Sequence, residues 1–191
     1  MMYPELVAHI RRFIEFSEED AEKLANCFIP VKPKKKELLL EPGKLCKGNY
    51  FVIKGCMRLY FVNDKLTEQI TQFGIENWWI ADNDSLLSRK PSRYYLQALE
   101  DSELLLLTPQ NHNKLLTPLP NFETYLRIMY EKALVASQRR VEFILCLTDE
   151  ERYRMFSELN PAFIQRVPQY MLASYLGFTP QFLSRIRAKK A

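Results

Sequence analysis

The chain has 191 residues, of which 47% are hydrophobic and 13% aromatic, so it can bury a substantial core in one domain or two small ones. It contains neither a secretory signal nor an uncharged apolar stretch of membrane-spanning length, so we expect a cytoplasmic protein without membrane contact. The net charge of +4 is concentrated in residues 161–191, which hold five basic residues and no acidic one, and this predicts a polyanionic partner for that segment.

The N-terminal part of the sequence predicts two helices followed by a sheet. Residues 4–16 have a helical pattern, and Ser17 is a typical N-cap for a second helix over residues 18–28. After Pro30, short strands alternate with turn residues, which indicates an antiparallel roll, barrel or sandwich. The six predicted strands cover residues 37–40, 50–54, 57–63, 67–73, 94–99 and 103–108.

Residues 75–93 separate the fourth and fifth predicted strands. This segment is too long for a hairpin, and residues 82–89 within it are compatible with a helix. Insertions of this kind on a β scaffold are often binding sites, and a surface loop with one helical turn is the simpler alternative. The pattern of residues leaves both interpretations open.

Residues 120–147 have a helical period over a length that exceeds most globular helices. One apolar stripe runs from Phe122 to Leu147 with Arg140 as its one interruption, and a second stripe lies beside it. Two adjacent stripes indicate contact both with the helix's own domain and with a second body, such as a twin helix across a two-fold axis. A core helix within one domain is the alternative. The second stripe consists of Leu126, Tyr130, Leu134, Val141 and Ile144.

The C-terminal segment predicts three further helices. Thr148 begins a capping-box helix that reaches residue 159, where Asn160-Pro161 ends it. In residues 169–190, Gly177 separates two short helices, the second of which begins at Thr179. This is the spacing of a DNA-binding helix-turn-helix, with Phe178, Leu183 and Ile186 facing inward.

The outward face of the second of these helices carries side-chain types that recognise DNA. Arginine can pair with guanine and glutamine with adenine, hydroxyl groups can contact phosphates or bases, and no carboxylate is present to repel the phosphate backbone. A helical hairpin docked on another protein is the structural alternative. The predicted DNA-contacting residues are Thr179, Gln181, Ser184, Arg185, Arg187 and Lys189.

The whole chain resembles the Crp/Fnr superfamily of bacterial transcription regulators, in particular short, Bacteroidetes-like forms. The resemblance is carried by Gly43 and the YFVIKG stretch at residues 50–55, by the long helix from Pro120, and by LASYLGFTPQFLSRIR at residues 172–187. In the Fnr-like branch the recognition helix carries Glu-x-x-Ser-Arg, and here Gln181 replaces the glutamate while serine and arginine are retained. We therefore still expect Arg185 to contact guanine, whereas the identity of the base that Gln181 contacts is left open.

The resemblance implies an α+β fold in three parts. Residues 1–119 would form an antiparallel β-roll or jelly roll of the cyclic-nucleotide-binding type, residues 120–147 a dimerisation helix, and residues 148–191 the helix-turn-helix domain. It implies a homodimer on a pseudo-palindromic site in double-stranded DNA, with RNA polymerase as a candidate further partner. Because the sequence ends directly after the recognition helix, we expect the family's β-hairpin wing to be absent.

The resemblance also points to a ligand cassette, in which a glutamate holds the ribose and an arginine ten residues later holds the phosphate. Counting back from Ala98 places Asp82 and Ser92 at these positions, with Arg93 one residue out of register. A buried phosphate needs a paired cation, so we do not expect cAMP or cGMP, and an unidentified small molecule is the candidate effector. The candidate effector-pocket residues are Trp79, Asp82, Ser92 and Arg93.

The sequence contains no motif that indicates a metal site, a disulfide framework or an enzyme. The four cysteines lack the spacing of a disulfide framework, a zinc site or an iron–sulfur site, and we expect buried thiols, with a redox role left open. No nucleophile elbow, P-loop or HExxH motif is present, so we do not expect an enzyme. The alternative of a different class is a small-molecule sensor that acts through protein contacts.

Overall fold

The computed structural model describes residues 3–188, except the side chains of residues 162, 180 and 186–188. Its contacts divide the chain into two compact units. The N-terminal unit comprises Met1–Phe61 and Gln72–Glu131, and the C-terminal unit comprises Val62–Thr71 and Lys132–Ala191. This division falls within the long helix and assigns residues 62–71 to the C-terminal unit, whereas the sequence predicted boundaries at residues 119 and 147.

Two helices begin the N-terminal unit, α1 (Pro4–Ile10) and α2 (Glu18–Ala25). The predicted N-cap at Ser17 is confirmed, since its side chain accepts from the backbone N–H of Asp20 and the Asp20 carboxylate accepts from the Ser17 N–H. The first helix is shorter than predicted. It ends at Ile10, and the Arg11 side chain then donates to the Phe16 carbonyl at 2.9 Å across the connecting turn.

In the described residues, eight strands form two four-stranded sheets, with the orders β1-β8-β3-β6 and β2-β7-β4-β5. All six predicted strands are present within one or two residues of their expected ends. The sequence missed two short strands, one of which contains Pro30, a residue that disfavours strands. The strands are β1 (Ile29–Val31), β2 (Leu38–Leu40), β3 (Asn49–Lys54), β4 (Met57–Val62), β5 (Glu68–Gly74), β6 (Trp79–Ile80), β7 (Tyr95–Ala98) and β8 (Glu103–Leu107).

The N-terminal unit has two apolar clusters because alternate strand residues face opposite sides of a sheet. The roll interior contains Val52, Met57 and Leu96, all fully buried. On the other side of β3 and β8, Phe51 and Leu105 pack against the helical side chains. The further helices of this region are α3 (Asn83–Ser88), α4 (Pro109–Leu116) and α5 (Asn121–Cys146), which continues into the C-terminal unit.

The C-terminal unit combines the end of α5 with four shorter helices. Thr148 and Glu151 form the predicted capping box at the start of α6. Pro161 follows the end of α6, as predicted, and is also the first residue of a short helix that the sequence analysis missed. Gly177 follows α8 with φ 84°, a conformation that glycine adopts without strain. The four helices are α6 (Asp149–Leu159), α7 (Pro161–Arg166), α8 (Gln169–Leu176) and α9 (Pro180–Ala188).

The cysteines are all free thiols, but they are not all buried as expected. Cys46 and Cys56 are buried, Cys27 is half-buried and Cys146 is exposed. The expectation is wrong for Cys146 because this residue lies on the part of α5 whose surface remains uncovered in the described chain.

Candidate functional sites

The α8–α9 pair is held together by its turn and by a buried residue on each helix. The backbone N–H groups of Gly177 and Phe178 both donate to the Ala173 carbonyl, at 2.9 and 3.1 Å, and so end α8. Leu183 on α9 is fully buried, and Ala173 on α8 is fully buried as well. The orientation of α9 is therefore fixed by packing on its inner face.

The outer face of α9 is exposed and polar. Gln181, Ser184 and Arg185 lie three and four residues apart, which places them on one side of the helix. In the described part of the chain their side chains form no hydrogen bond or ion pair, and Arg185 only stacks over the Phe182 ring at 5.3 Å. Thr179, also exposed, accepts from the Phe182 N–H at 3.3 Å. The Arg187 side chain and Lys189, which were also predicted to contact DNA, lie outside the described residues.

Two arginines that the sequence analysis did not assign hold the end of α8. The last carbonyls of a helix have no partner within it and favour a cation nearby. Arg140 on α5 donates to the Tyr175 carbonyl at 2.7 Å, and Arg152 on α6 donates to the Leu176 carbonyl at 3.1 Å. Arg152 is also paired with Asp149. The only sequence signal for either residue was the interruption of the apolar stripe at Arg140.

The two halves of α5 differ in exposure. Phe122 and Tyr125, near its start, are fully buried, whereas Leu134, Val141 and Leu145 are 59%, 56% and 78% exposed. A shallow groove of about 490 Å³ follows the exposed part. In the second predicted stripe, Leu126 is buried, whereas the other four residues, Tyr130, Leu134, Val141 and Ile144, are exposed in the single chain. The groove is lined by Ser137, Gln138, Val141, Glu142, Leu145 and Cys146.

The two residues at the predicted ligand positions of the cassette, Asp82 and Ser92, are buried in the structure, and each is 5% exposed. The Asp82 carboxylate accepts from the backbone N–H groups of Asp84 and Ser85, at 3.2 and 3.3 Å, and so caps α3. The Ser92 hydroxyl accepts from the Tyr94 N–H at 2.8 Å. Both side chains hold the backbone of their own segment.

The same segment is tied to the loop that follows β2. The Gly43 N–H donates to the Ser92 carbonyl and the Ser92 N–H donates to the Lys44 carbonyl, both at 2.8 Å. The Ser85 hydroxyl accepts from the Cys46 N–H at 3.1 Å and donates to the Lys90 carbonyl at 2.7 Å. These bonds hold the cassette segment against that loop.

The other two effector candidates lie in different surroundings. Arg93 is exposed, and its guanidinium lies 4.9 Å from the Phe61 ring and 5.3 Å from the Tyr94 ring. Trp79 donates to the Tyr125 hydroxyl at 2.9 Å and packs on Phe51 in the cluster shared with the helices. Ile80, the next residue of β6, faces the roll interior instead, because neighbouring strand residues point to opposite sides of a sheet.

The Tyr125 hydroxyl forms a second hydrogen bond, with the Nδ1 of buried His9, and the two atoms lie 2.8 Å apart. The sequence analysis missed this contact. Burial raises the pKa of the Tyr125 phenol, so the group stays protonated. Trp79, Tyr125 and His9 therefore connect β6, α5 and α1 as part of the core. Nothing in the sequence pattern links these three residues.

Residues 3–188 contain no group of three or more histidine, cysteine or acidic side chains that could bind a metal ion. Within the same residues, no helix is both long and apolar enough to cross a bilayer.

Comparisons with known proteins agree with this architecture. Residues 30–117 match the family model of the cyclic nucleotide-binding domain. The structure is similar to the c-di-GMP responsive global regulator CLP of Xanthomonas campestris, at 17% identity over 91% of each chain, with a TM-score of 0.74. No curated protein sequence matches the chain with significance.

Two further solved structures have the same fold. The catabolite activator protein of Thermus thermophilus is 20% identical over 93% of this chain and 84% of its own, with a TM-score of 0.59. A Crp/Fnr-family regulator of Eubacterium rectale is 13% identical over 91% and 83%, with a TM-score of 0.67. Residues 30–117 thus match the cyclic nucleotide-binding domain family, and the chain has the fold of the Crp/Fnr transcription regulators.

Proposed function

We propose that the protein is a transcription regulator of the Crp/Fnr type that binds a pseudo-palindromic DNA site as a homodimer. The observation that carries the proposal is the outer face of α9, where Gln181, Ser184 and Arg185 are exposed and engaged in no side-chain hydrogen bond within the described chain. The segment from residue 161 onward has no carboxylate to oppose the DNA backbone. An arginine and a glutamine on an exposed helix can form bidentate contacts with base edges in the major groove.

The uncovered face of α5 supports the dimer. Leu134 and Val141 are seven residues apart and Leu145 follows four residues later, which is the spacing of a helix that pairs with a parallel copy of itself. Each of these side chains is more than half exposed in the single chain. Pairing would bury them and would place two α9 helices about 34 Å apart, one turn of DNA.

An unidentified small molecule in the β-roll is the proposed effector, and cAMP and cGMP do not fit the cassette. The side chains at the two expected ligand positions, Asp82 and Ser92, already accept hydrogen bonds from their own backbone segment. Arg93, the nearest cation in sequence, is exposed and stacks on two aromatic rings. A desolvated cyclic phosphate would have no buried cation at the expected position.

The test is selection of genomic DNA fragments with the purified full chain, followed by binding of the selected duplex. We expect enrichment of a pseudo-palindrome. Arg185→Ala should lower affinity for it by about 5- to 150-fold and relax the preference for one G·C pair, the loss of one bidentate contact. Lys189→Ala is the matched comparison, because loss of a phosphate contact weakens all sequences alike.

Two outcomes would contradict the proposal at different levels. Equal losses on every sequence for Arg185→Ala would remove its base-reading role. The absence of any enriched motif would reject sequence-specific DNA binding and favour a sensor that acts through protein contacts.

A further inference from the structure

Arg140 is the one charged residue in the first apolar stripe of α5. Its side chain turns inward and donates three hydrogen bonds, all to backbone carbonyls: Thr71 at 2.6 Å, Ile70 at 3.0 Å and Tyr175 at 2.7 Å. No carboxylate pairs with it among the described residues. Burial lowers the pKa of Arg140, but arginine stays protonated in proteins, so the side chain is a cation.

The three carbonyls belong to two elements that are far apart in sequence. Ile70 and Thr71 lie in the hairpin arm, the name used here for Val62–Thr71 of the C-terminal unit. Tyr175 is the penultimate residue of α8. One guanidinium therefore joins α5, the hairpin arm and α8 within the C-terminal unit.

The hairpin arm and α8 are also joined directly, through Ser174. Its hydroxyl donates to the Glu68 carbonyl at 2.8 Å and accepts from the Ile70 N–H at 3.1 Å. The Arg140 guanidinium lies 4.1 Å from the centre of the Tyr175 ring, so stacking adds to its hydrogen bonds. Because the guanidinium is planar and rigid, these contacts fix a direction as well as a distance.

Arg152 does not duplicate this role. It holds the Leu176 carbonyl and pairs with Asp149, so it joins α6 to α8. Of these two arginines, only Arg140 connects α8 to the helix whose exposed face is the proposed dimer contact.

We propose that Arg140 is the positioning residue that sets the orientation of the α8–α9 pair against α5, and thereby the distance between half-sites that the dimer accepts. The inference rests on the proposed DNA-binding function. Two α5 helices paired about a two-fold axis would fix the centre of the dimer. The position of each α9 relative to that centre then depends on how firmly α8 is attached to its own α5, and Arg140 makes that attachment.

The experiment measures binding to duplexes whose half-sites are moved closer together or further apart by one and two base pairs. The wild type should show one preferred spacing. Arg140→Met should lose more than about tenfold in affinity at that spacing, as simultaneous engagement of both half-sites weakens. Its preference among spacings should flatten, while affinity for a single half-site changes by less than about twofold, as for a substitution away from the DNA contact.

Arg139→Ala is the matched control, because this exposed arginine is the preceding residue on the same helix and should keep the wild-type spacing profile. Arg140→Lys retains the charge but not the planar fork, so its profile should fall between those of the wild type and Arg140→Met. If Arg140→Met does not fold, Arg140→Lys and Ser174→Ala carry the test, and both should broaden the profile.

The outcomes separate this inference from the proposed function. If the wild type binds no specific duplex, the proposed function fails. If the wild type shows a preferred spacing and the folded Arg140 and Ser174 variants keep it, only the positioning role is overturned. A parallel loss of half-site and full-site affinity with an unchanged preferred spacing would also overturn it, because destabilisation alone would have that effect.

Discussion

The cassette segment and the α8–α9 pair both carry polar side chains at positions where the sequence predicts ligand contacts, but they differ in what those side chains do. Asp82 and Ser92 are buried and bonded to the backbone around them. Gln181 and Arg185 are exposed on a helix that Leu183 anchors from behind. The less a polar side chain in a binding motif is used by its own backbone, the more of its hydrogen-bonding capacity is open to a partner, and by this criterion α9 is the better candidate.

The largest expected effect tests whether the exposed polar face of α9 acts through a dimer. Val141→Glu introduces a charge on the uncovered face of α5, where two copies would place like charges together without partners. We expect a monomer whose affinity for the full DNA site falls by about 100-fold or more, because two linked contacts become one. Sedimentation equilibrium and DNA binding provide the two measurements.

Ala136→Glu is the matched control, since it adds the same charge to α5 at an exposed position outside the groove. It should leave the dimer intact. A dimeric Val141→Glu variant that binds DNA normally would show that this face is not the dimer contact.

A smaller effect is expected when substitutions in the cassette and in α9 are compared by their effect on the free energy of unfolding. Asp82→Ala removes the cap of α3 and should lower the free energy of unfolding of the N-terminal unit by about 1 kcal/mol. Ser184→Ala removes no contact within the described chain and should change stability by less than about 0.5 kcal/mol while weakening DNA binding.

Denaturant unfolding measures both variants. Tryptophan fluorescence reports on the N-terminal unit, which contains both tryptophans, and circular dichroism follows the helices of both units. If Asp82→Ala left the unfolding of the N-terminal unit unchanged, the carboxylate would not be used as a cap, and the contrast with α9 would disappear.

The features that the sequence predicted correctly depend on residues close together in the chain. The N-cap at Ser17 and the capping box at Thr148 each depend on a span of four residues, and the break between two helices at Gly177 follows from the helical spacing around it. Strand alternation likewise depends on neighbours, which is why six strands were predicted and the short strands β1 and β6 were not. Local patterns contain this information.

The contacts of Arg140 could not be predicted in this way. The sequence shows a charged residue interrupting an apolar stripe, but the carbonyls that it binds lie 69 and 70 residues earlier and 35 residues later in the chain. The same holds for the hairpin arm, whose grouping with the C-terminal helices depends on tertiary contacts. Similarly, a motif register can place Asp82 and Ser92 in a cassette without showing that both are already hydrogen-bonded.

The smallest expected effect, an absence of binding, tests the cassette itself. A ligand that binds only the native state raises its stability by an amount that grows with the ratio of ligand concentration to dissociation constant. Asp82 and Ser92, at the positions expected to hold ribose and phosphate, already accept hydrogen bonds from the backbone of their own segment. We therefore expect about 1 mM cAMP or cGMP to shift the thermal midpoint of unfolding by less than about 1 °C. Calorimetric titration should detect no binding heat.

Saturable micromolar binding of cAMP or cGMP would show that the Asp82 and Ser92 bonds open to admit a ligand, and the contrast between cassette and α9 would fail.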